Sequence, residues 1–209
     1  MPRPSSLLAA AAPPVVLASA SAVRAQLLAA AGVPFEQRPA TVDELALKES
    51  LQAEGACAGD AAIALAELKA QQIARHLPEA IVLGADQILT CAGRWFDKPQ
   101  DRAEARAQLG ALAGEGHELA TAVVAFRGGV RVWHHLAVPR LWLRPCSPEF
   151  LDAYLDAVGA AALTSVGAYQ IEGLGAQLCA RIEGDHFAVL GLPVLELLEF
   201  LREQGVLLR

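Results

Sequence analysis

The sequence predicts an α/β fold built on a mixed sheet with flanking helices. The short apolar run Val15-Val16-Leu17 is followed at once by a helical pattern. Residues 80–84 form a second short apolar run ended by glycine, which is typical of a buried parallel strand. Residues 118–126 alternate in polarity towards Gly128-Gly129, which is typical of a β-hairpin. Parallel and antiparallel strands are therefore expected in one chain of two lobes.

In the first half of the chain, Ser21 is predicted to cap a helix that runs to about residue 31, and Asp60 to cap a helix over 61–76. The polar stretch Val42-Asp43-Glu44 between them is predicted to be a loop. Asp86 stands just beyond the strand at 80–84. Because α/β sites usually lie at strand ends, this position favours a functional carboxylate.

In the second half, Asp101 and Glu104 form a capping-box pattern that opens a helix to about residue 113. Residues 130–143 are expected to be the partner strand of the hairpin. Further helices are predicted from Ser147-Pro148 and over 194–203, where leucines line one face.

The composition excludes several classes of function. The 209 residues carry 17 Lys and Arg against 23 Asp and Glu, a net charge of −6. No global positive field therefore draws the chain to duplex nucleic acid or to an anionic membrane. The four cysteines stand at least 33 residues apart, which excludes the close pairs of zinc and redox motifs. No apolar run reaches the roughly 18 residues of a membrane span.

Residues 1–14 are predicted to form a flexible leader before a single domain of two lobes over 15–209. The apolar stretch 7–12 and the small residues 18–22 imitate a secretory signal with its cleavage site. Pro13-Pro14 interrupts the apolar stretch, and cleavage would destroy a serine-containing motif that could bind phosphate. We therefore expect a cytoplasmic protein.

That motif is Ser19-x-Ser21-x-x-Arg24, at the junction of the first strand and the first helix. Free backbone N–H groups and the helix dipole favour an anion there, and two hydroxyls can add donors. The pattern is neither a P-loop nor a nucleophile elbow, because the glycines of both are absent. It predicts either a phosphate site or an ordinary serine N-cap beside a solvated arginine.

Asp86 is accompanied in the sequence by cations and by further acids. Lys69 lies on the preceding predicted helix, Lys98-Pro99 follows twelve residues later, and Asp43-Glu44 lies in the polar stretch. Carboxylates hold a divalent cation and can take a proton from water, while lysines neutralise phosphate oxygens. The set favours a metal–phosphate site, with a structural turn aspartate as the alternative for Asp86.

Two other regions have competing interpretations. His117 could act as a base, or it could be a structural histidine at the start of a strand. Tyr169 and Glu172 lie in a glycine-containing segment that forms either a tight turn or the wall of a ligand site.

Taken together, the motifs resemble the Maf-type nucleoside triphosphate pyrophosphatases from about residue 15 to 205. Nine motifs occur in the order of that family: Ser19-x-Ser21-x-x-Arg24-x-x-Leu27-Leu28, Val42-Asp43-Glu44, Leu65-Ala66 with Lys69-Ala70, Gly84-Ala85-Asp86-Gln87, Lys98-Pro99, Gly114-x-x-His117 with Thr121, Gly167-Ala168-Tyr169, Ile182-Glu183-Gly184-Asp185 and Gly191-Leu192-Pro193.

The resemblance implies a cytoplasmic Maf/ITPase-like enzyme, expected to be a homodimer, with two lobes around a central cleft. It implies hydrolysis of a nucleoside triphosphate to the monophosphate and pyrophosphate with Mg²⁺ or Mn²⁺. Asp86 matches the catalytic aspartate and Glu44 a metal-associated or catalytic acid, and both are expected at the metal. The substrate-binding positions that it implies are Ser19, Ser21, Arg24, Lys69, Gln87, Lys98 and Glu172.

Two positions depart from the common family pattern. Gln87 replaces the threonine that often follows the catalytic aspartate, and Glu172 stands where many members carry glutamine. Both resemble the branch that acts on 7-methyl-GTP rather than on dTTP and UTP, whereas Gly167-Ala168-Tyr169 resembles the general branch. The preferred base stays open, as does whether Glu172 contacts the base or the metal.

Two other functions compete with the pyrophosphatase hypothesis. A non-catalytic nucleotide-binding regulator of cell division would keep the phosphate-binding residues without needing an active Asp86. A serine hydrolase using Ser21 would need a nucleophile elbow and an evident histidine partner, which the sequence lacks. No nucleic-acid or membrane partner is expected.

Overall fold

The computed structural model describes residues 7–9 and 11–209. The rest of the predicted leader, residues 1–6 and 10, lies outside the described residues. The described residues form two compact units: unit 1 consists of 7–9, 11–87, 121–137 and 187–209, and unit 2 of 88–120 and 138–186. Both contain strands and helices, which confirms the mixed α/β class.

The described residues contain eight strands and seven α-helices. The strands are β1 (Val15–Leu17), β2 (Glu36–Gln37), β3 (Ile81–Cys91), β4 (Arg94–Phe96), β5 (Gly116–Arg127), β6 (Val130–Ala137), β7 (Arg140–Leu143) and β8 (Cys179–Glu183). The helices are α1 (Ala22–Ala30), α2 (Glu44–Ala53), α3 (Ala58–Ala74), α4 (Arg102–Leu112), α5 (Pro148–Val158), α6 (His186–Val189) and α7 (Val194–Glu203).

Unit 1 contains the parallel part of the sheet. β1 lies between β2 and β3 and pairs in parallel with both, so that Val16 is opposite Glu36 on one side and Val82 on the other. The last part of β5 pairs with β6 in an antiparallel hairpin, with Val124 opposite His134. The apolar run of β1 is buried along its whole length, as expected for a strand with neighbours on both edges.

The core of unit 1 lies between the sheet and two helices. α7 places Leu197, Phe200 and Leu201 on one buried face, and α1 contributes Leu28. These side chains pack with Leu83 and other buried residues of β1, β3 and β5. Burial of several large aliphatic side chains, each contributing about 1.5–3 kcal/mol, fixes β1 and β3 side by side.

Unit 2 is built on antiparallel pairs. β7 pairs with the first part of β5 and also with β8, while β4 pairs with the end of β3. α4 and α5 contact each other, and Arg106 of α4 donates to Asp152 of α5 at 3.0 Å. Three 3₁₀ segments follow α5, at Gly159–Thr164, Val166–Ala168 and Leu174–Leu178.

Several predicted boundaries are corrected. The strand at 80–84 continues to Cys91, so Asp86 lies within β3 and not beyond its end. Glu44 is the first residue of α2 and not part of a loop, because Asp43 caps that helix by accepting from the backbone N–H of Ala46 at 3.0 Å. α3 begins at Ala58 behind Cys57, three residues before the predicted start.

The predicted strand over 130–143 is two strands, β6 and β7, which pair with different parts of β5. Val138 and Pro139 separate them. Because proline has no N–H to donate, it interrupts the ladder at this point. The glycine-rich stretch after Gly167 also contains a strand, β8, which was not predicted.

Residues 7–9 of the predicted leader pair with the end of the chain. Leu8 forms a β-bridge with Leu207, and the Leu208 N–H donates to the Leu7 carbonyl at 2.9 Å. Within 7–9 and 11–209, no helix has both the length and the apolar character that a membrane crossing needs.

Candidate active site

The candidate site in unit 1 begins where α3 crosses β3 at very close range. A Cβ atom at Gly84 would lie 2.0 Å from the Ala66 carbonyl oxygen and 2.9 Å from the Ala70 Cβ. Only a glycine on the strand facing alanines on the helix permits this approach. The close packing brings Lys69 of α3 alongside Asp86, two residues after Gly84 on β3.

Lys69 bridges two carboxylates. Its Nζ donates to Asp86 Oδ1 at 2.6 Å and lies 2.8 Å from Glu44 Oε1. Lys69 and Asp86 are 7% and 5% exposed, whereas 44% of the Glu44 side-chain surface is exposed. Removing one partner of a buried ion pair leaves an uncompensated charge, which typically costs about 3–5 kcal/mol. The cluster therefore joins two deeply buried charges to a third that faces solvent.

Glu44 reaches Lys69 from a helix that has no buried residue of its own. The segment before α2 is held by Gln72, which lies on α3 three residues after Lys69. The Gln72 side chain accepts from the Thr41 N–H at 2.8 Å and donates to the Thr41 carbonyl at 2.8 Å. This two-bond clamp fixes the backbone three residues before Glu44.

Arg24 lies next to the same cluster and is held by contacts to three separate segments of the chain. Its Nε donates to the Gly191 carbonyl at 2.8 Å, and its Nη1 donates to the Ala85 carbonyl at 3.0 Å and to Ser19 Oγ at 3.2 Å. The Gly191 carbonyl is presented by a backbone with φ of 100°, a conformation that favours glycine. These contacts use Nε and Nη1, so the N–H groups on Nη2 are the donors that Arg24 can offer to a ligand.

Burial lowers the pKa of the Arg24 guanidinium, and the charges of Asp86 and Glu44 act in the opposite direction. Arginine stays protonated in proteins, so Arg24 supplies a fixed positive charge beside two negative ones. Lys69 contacts both acids, and Arg24 donates to the carbonyl of the residue before Asp86, so all of these charged groups lie in one region of unit 1.

The two serines of the predicted motif have different contacts. Ser21 caps α1, its Oγ accepting from the Arg24 N–H at 3.3 Å, which confirms the predicted N-cap. The buried Ser19 Oγ accepts from the Ser21 N–H at 3.3 Å as well as from Arg24, and its carbonyl accepts from Gln37 at 2.8 Å. In both serines the oxygen accepts, which leaves each O–H proton as a donor for an anion.

Gln87 has an internal role. Its Nε2 donates to Thr121 Oγ1 at 2.8 Å and to the carbonyls of Ala188 and Val189 at 3.0 and 3.3 Å. The amide nitrogen therefore ties β3 to β5 and α6 within unit 1. Because the amide nitrogen is occupied, a contact between Gln87 and substrate would use the amide oxygen. That substrate-binding role remains a prediction.

Two predicted site residues belong to unit 2. Lys98 is exposed in the segment between β4 and α4, and Glu172 is exposed between two of the 3₁₀ segments. The Glu172 charge is one of the smaller influences that raise the pKa of Tyr154, after burial of that tyrosine. The roles expected of Lys98 and Glu172 therefore remain predictions.

His117 and Tyr169, also in unit 2, form a buried pair. His117 Nε2 lies 2.7 Å from the Tyr169 hydroxyl, and the rings meet edge to face at 5.6 Å. Burial lowers the pKa of His117 to about 4. His117 Nε2 thus has a tyrosine side chain as its partner, which fits the structural interpretation of this histidine.

Asp86 and Glu44 fit a divalent cation that arrives with a phosphate ligand. Across 7–9 and 11–209, no three His, Cys, Asp or Glu side chains are grouped so as to hold a metal. Asp86 Oδ2, however, is buried without a hydrogen-bond partner, and such an orphaned carboxylate oxygen needs a donor or a cation. Mg²⁺ is commonly held by one or two carboxylates together with water and substrate phosphates.

Several contacts that shape the site were not predicted from the sequence: those of Gln37, Gln72, Thr121 and the Gly191 carbonyl. Each joins residues far apart in the chain, so no local spacing reveals it. Thr121 and Gly191 do stand in two of the quoted family motifs, but those motifs do not show which partners the two residues contact.

Comparison with known proteins gives concordant findings. A family model described as "Maf-like protein" matches residues 14–204. A "Nucleoside triphosphate pyrophosphatase" of Rhodospirillum rubrum is 54% identical over 196 residues, covering 94% of this chain and 97% of the relative. A protein of the same name from Granulibacter bethesdensis is 50% identical, covering 92% and 98%. A "7-methyl-GTP pyrophosphatase" of Rhizobium meliloti is 48% identical, covering 93% and 98%.

Proposed function

Because the chain belongs to the Maf-like family, we propose that it hydrolyses a nucleoside triphosphate to the nucleoside monophosphate and pyrophosphate. The observation that carries this function is the state of Asp86. One carboxylate oxygen is bound to Lys69, and the other is buried without a partner. Arg24 donates to the carbonyl of Ala85, the residue before Asp86. A carboxylate so placed can accept a proton from water while cations hold phosphate oxygens.

In the reaction, a water oxygen forms a bond to the α-phosphorus, and the bond from that phosphorus to the α–β bridging oxygen breaks. The bridging oxygen keeps the electron pair and leaves with pyrophosphate. Asp86 Oδ2 takes the proton of the attacking water. Most of the acceleration comes from positioning and charge neutralisation, as in phosphoryl transfer generally.

Arg24, Ser19 and Ser21 form the phosphate-binding part of unit 1. The Nη2 group of Arg24 and the two hydroxyl protons are donors of the kind that phosphate oxygens accept. Asp86 and Glu44 would hold a divalent cation such as Mg²⁺ or Mn²⁺. When bound, the cation neutralises phosphate charge and makes pyrophosphate a better leaving group.

The test is a product assay on four triphosphates in H₂¹⁸O, namely 7-methyl-GTP, GTP, dTTP and UTP, with Mg²⁺ or Mn²⁺ present. We expect pyrophosphate in equal amount with the monophosphate, and ¹⁸O in the monophosphate, since attack is at the α-phosphorus. Label in pyrophosphate would place the attack at the β-phosphorus. No hydrolysis of any triphosphate would favour the non-catalytic regulator.

The base preference rests on Glu172. An ionised carboxylate accepts hydrogen bonds but cannot donate them, so it favours a guanine edge with N–H donors or the positive ring of 7-methylguanine. We therefore expect kcat/KM for 7-methyl-GTP or GTP to exceed that for dTTP or UTP. Glu172→Gln is expected to shift the ratio by about tenfold towards the pyrimidines, the effect of roughly one hydrogen bond to a charged group.

The matched control is Glu183→Gln, which removes a carboxylate from β8 of the same unit and is expected to leave the substrate ratio unchanged. If Glu172→Gln lowers kcat/KM equally for all four substrates, Glu172 acts at the metal and not at the base. A wild-type preference for dTTP or UTP would contradict the assignment to the 7-methyl-GTP branch.

A further inference from the structure

We propose that the Lys69 ammonium occupies the place of the divalent cation between Asp86 and Glu44 in the free protein. Cation alone then binds weakly, and it binds well only when a triphosphate offers Lys69 another anionic partner. This inference rests on the proposed function, because it concerns the same carboxylates, but its test requires no turnover.

The Lys69 ammonium contacts both carboxylates in the free protein. Lys69 Nζ lies 2.6 Å from Asp86 Oδ1 and 2.8 Å from Glu44 Oε1, so a single positive charge serves two carboxylates. Oxygens of this kind are the ligands that Mg²⁺ and Mn²⁺ take in proteins. The lysine thus holds the two oxygen atoms that a cation would need.

The positive charges of Lys69 and Arg24 oppose the binding of a divalent cation. A divalent cation approaching the two carboxylates meets the Lys69 ammonium at the same oxygens and the Arg24 guanidinium close by. Like charges at this distance repel strongly in a partly buried site, where the effective dielectric constant is far below that of water. The attraction of the carboxylates for a cation is therefore largely cancelled while Lys69 stays in place.

The Lys69 side chain is flexible, so its charge can move to another anionic partner. The lysine ammonium is a point charge on a flexible four-carbon chain with three donors, and it can change partners without moving the helix. A triphosphate beside Arg24 and Ser19 gives it phosphate oxygens to bind, which releases Asp86 Oδ1 and Glu44 Oε1. Because binding equilibria are reciprocal, triphosphate then raises the affinity for the cation as much as the cation raises the affinity for triphosphate.

The experiment measures the binding of Mn²⁺ alone, by the loss of the free Mn²⁺ electron paramagnetic resonance signal. It compares the wild type with Lys69→Gln, in which the amide can still donate to Asp86 but carries no charge, and with Lys69→Met. Arg75→Met is the control, because it removes a positive charge from the exposed end of the same helix. Circular dichroism checks that each variant is folded.

We expect wild type and Arg75→Met to bind Mn²⁺ weakly, with a dissociation constant on the order of 1 mM. Both Lys69 variants are expected to bind it at least about tenfold more tightly, a coupling typical of interacting sites. Mn²⁺ should also raise the melting temperature of the Lys69 variants more than that of wild type. The same variants lose hydrolysis, so the two readouts move in opposite directions.

Equal or weaker Mn²⁺ binding by the Lys69 variants would overturn the proposal. Should neither variant fold, the wild-type measurement decides, since micromolar binding of Mn²⁺ by the free wild-type protein is incompatible with an ammonium in the cation's place. If wild type hydrolyses triphosphates but the Lys69 variants gain no affinity, this inference fails and the proposed function stands. If wild type hydrolyses none, the proposed function fails whatever the Mn²⁺ result.

Discussion

Units 1 and 2 each bury a pair of ionisable side chains joined by one short hydrogen bond. Lys69 and Asp86 are 2.6 Å apart in unit 1, and His117 and Tyr169 are 2.7 Å apart in unit 2. Each pair also leaves one buried atom without a partner, Asp86 Oδ2 and His117 Nδ1. Burial and an orphaned atom are therefore common to both pairs and do not by themselves identify a site.

The two pairs differ in charge. Burial lowers the pKa of His117 to about 4 and raises the pKa of Tyr169, so both groups are neutral at neutral pH. Lys69 and Asp86 form an ion pair with Glu44 as a third, partly exposed member. An unpartnered oxygen on a carboxylate is costlier to bury than an unpartnered nitrogen on a neutral ring, so its presence is better explained by a ligand.

The residues around the two pairs also differ, because hydrogen-bond donors lie near the pair in unit 1 and close apolar packing surrounds the pair in unit 2. Donors of Arg24 and Ser19 lie near Asp86, whereas Tyr169 is packed tightly next to Gly167. A Cβ atom on Gly167 would lie 2.7 Å from Leu89 Cδ1 and 3.0 Å from the Tyr169 ring. We infer that the pair in unit 2 stabilises the fold, while the pair in unit 1 performs chemistry.

The largest expected effect comes from Asp86→Asn, set against Tyr169→Phe. The amide can still accept from Lys69, so the fold is kept, but it cannot take a proton from water. We expect kcat to fall by about 10³-fold or more in Asp86→Asn, in line with the loss of one essential group, and to stay within about threefold of wild type in Tyr169→Phe. Steady-state kinetics on the preferred triphosphate measures both, and similar losses in the two variants would contradict the distinction between the pairs.

The helices were the part of the fold that the sequence predicted best. Asp101, Ser147 and Pro193 mark the starts of α4, α5 and α7 as expected, because capping residues and proline act within one turn of the chain. The strands were predicted less well. Gly84 was interpreted as the end of a strand, whereas it lies inside β3 and serves the close packing of α3.

For the site, Glu44, Lys69, Asp86 and Arg24 lie together within unit 1, as the predicted metal–phosphate site requires. Their roles stay predictions, and no spacing in the sequence shows that these residues meet. The clamp of Gln72 on Thr41 and the three bonds of Gln87 could not be predicted, because amide side chains give no periodic signal and their partners lie 31 to 102 residues away.

The second effect is expected on the free energy of unfolding at acid pH, and it comes from His117 in the neutral His117–Tyr169 pair. The pKa of His117 is about 4 in the folded protein, below the 6.5 of an exposed histidine, so the unfolded chain takes up a proton first as the pH falls. Stability is therefore lost as the pH falls from 6.5 towards 4, by at most about 3 kcal/mol from this residue. His117→Gln, which cannot be protonated, should show a smaller loss.

Urea unfolding at several pH values between 7 and 4 measures this effect. The difference between wild type and His117→Gln is the relevant quantity, because the contributions of the carboxylates cancel in it. Hydrolysis at pH 7 should be nearly the same in both proteins. Parallel stability curves would show that His117 is not a buried neutral group, and the charge difference between this pair and Lys69–Asp86 would be contradicted.

The smallest effect is expected from Gln72→Ala. This variant tests whether the position of Glu44, the exposed acid of the charged cluster, depends on Gln72. α2 has no buried residue, so the position of Glu44 depends on few contacts, among them the two Gln72–Thr41 bonds. Gln72→Ala removes both bonds, and at an exposed site each contributes about 1 kcal/mol or less. We expect KM for the triphosphate with its cation to rise several-fold, while kcat changes by less than about twofold, since Asp86 and Lys69 remain in place.

Gln71→Ala is the matched control, because it removes the neighbouring glutamine of α3, whose side chain accepts from Arg75 at 3.4 Å and not from Thr41. Gln72→Glu separates the two bonds of the clamp, since a carboxylate can accept from the Thr41 N–H but cannot donate to its carbonyl. Its KM should fall between those of wild type and Gln72→Ala. A general loss of helix stability would instead lower the melting temperature and leave KM unchanged, and equal KM values in Gln72→Ala and Gln71→Ala would show that Glu44 does not depend on the clamp.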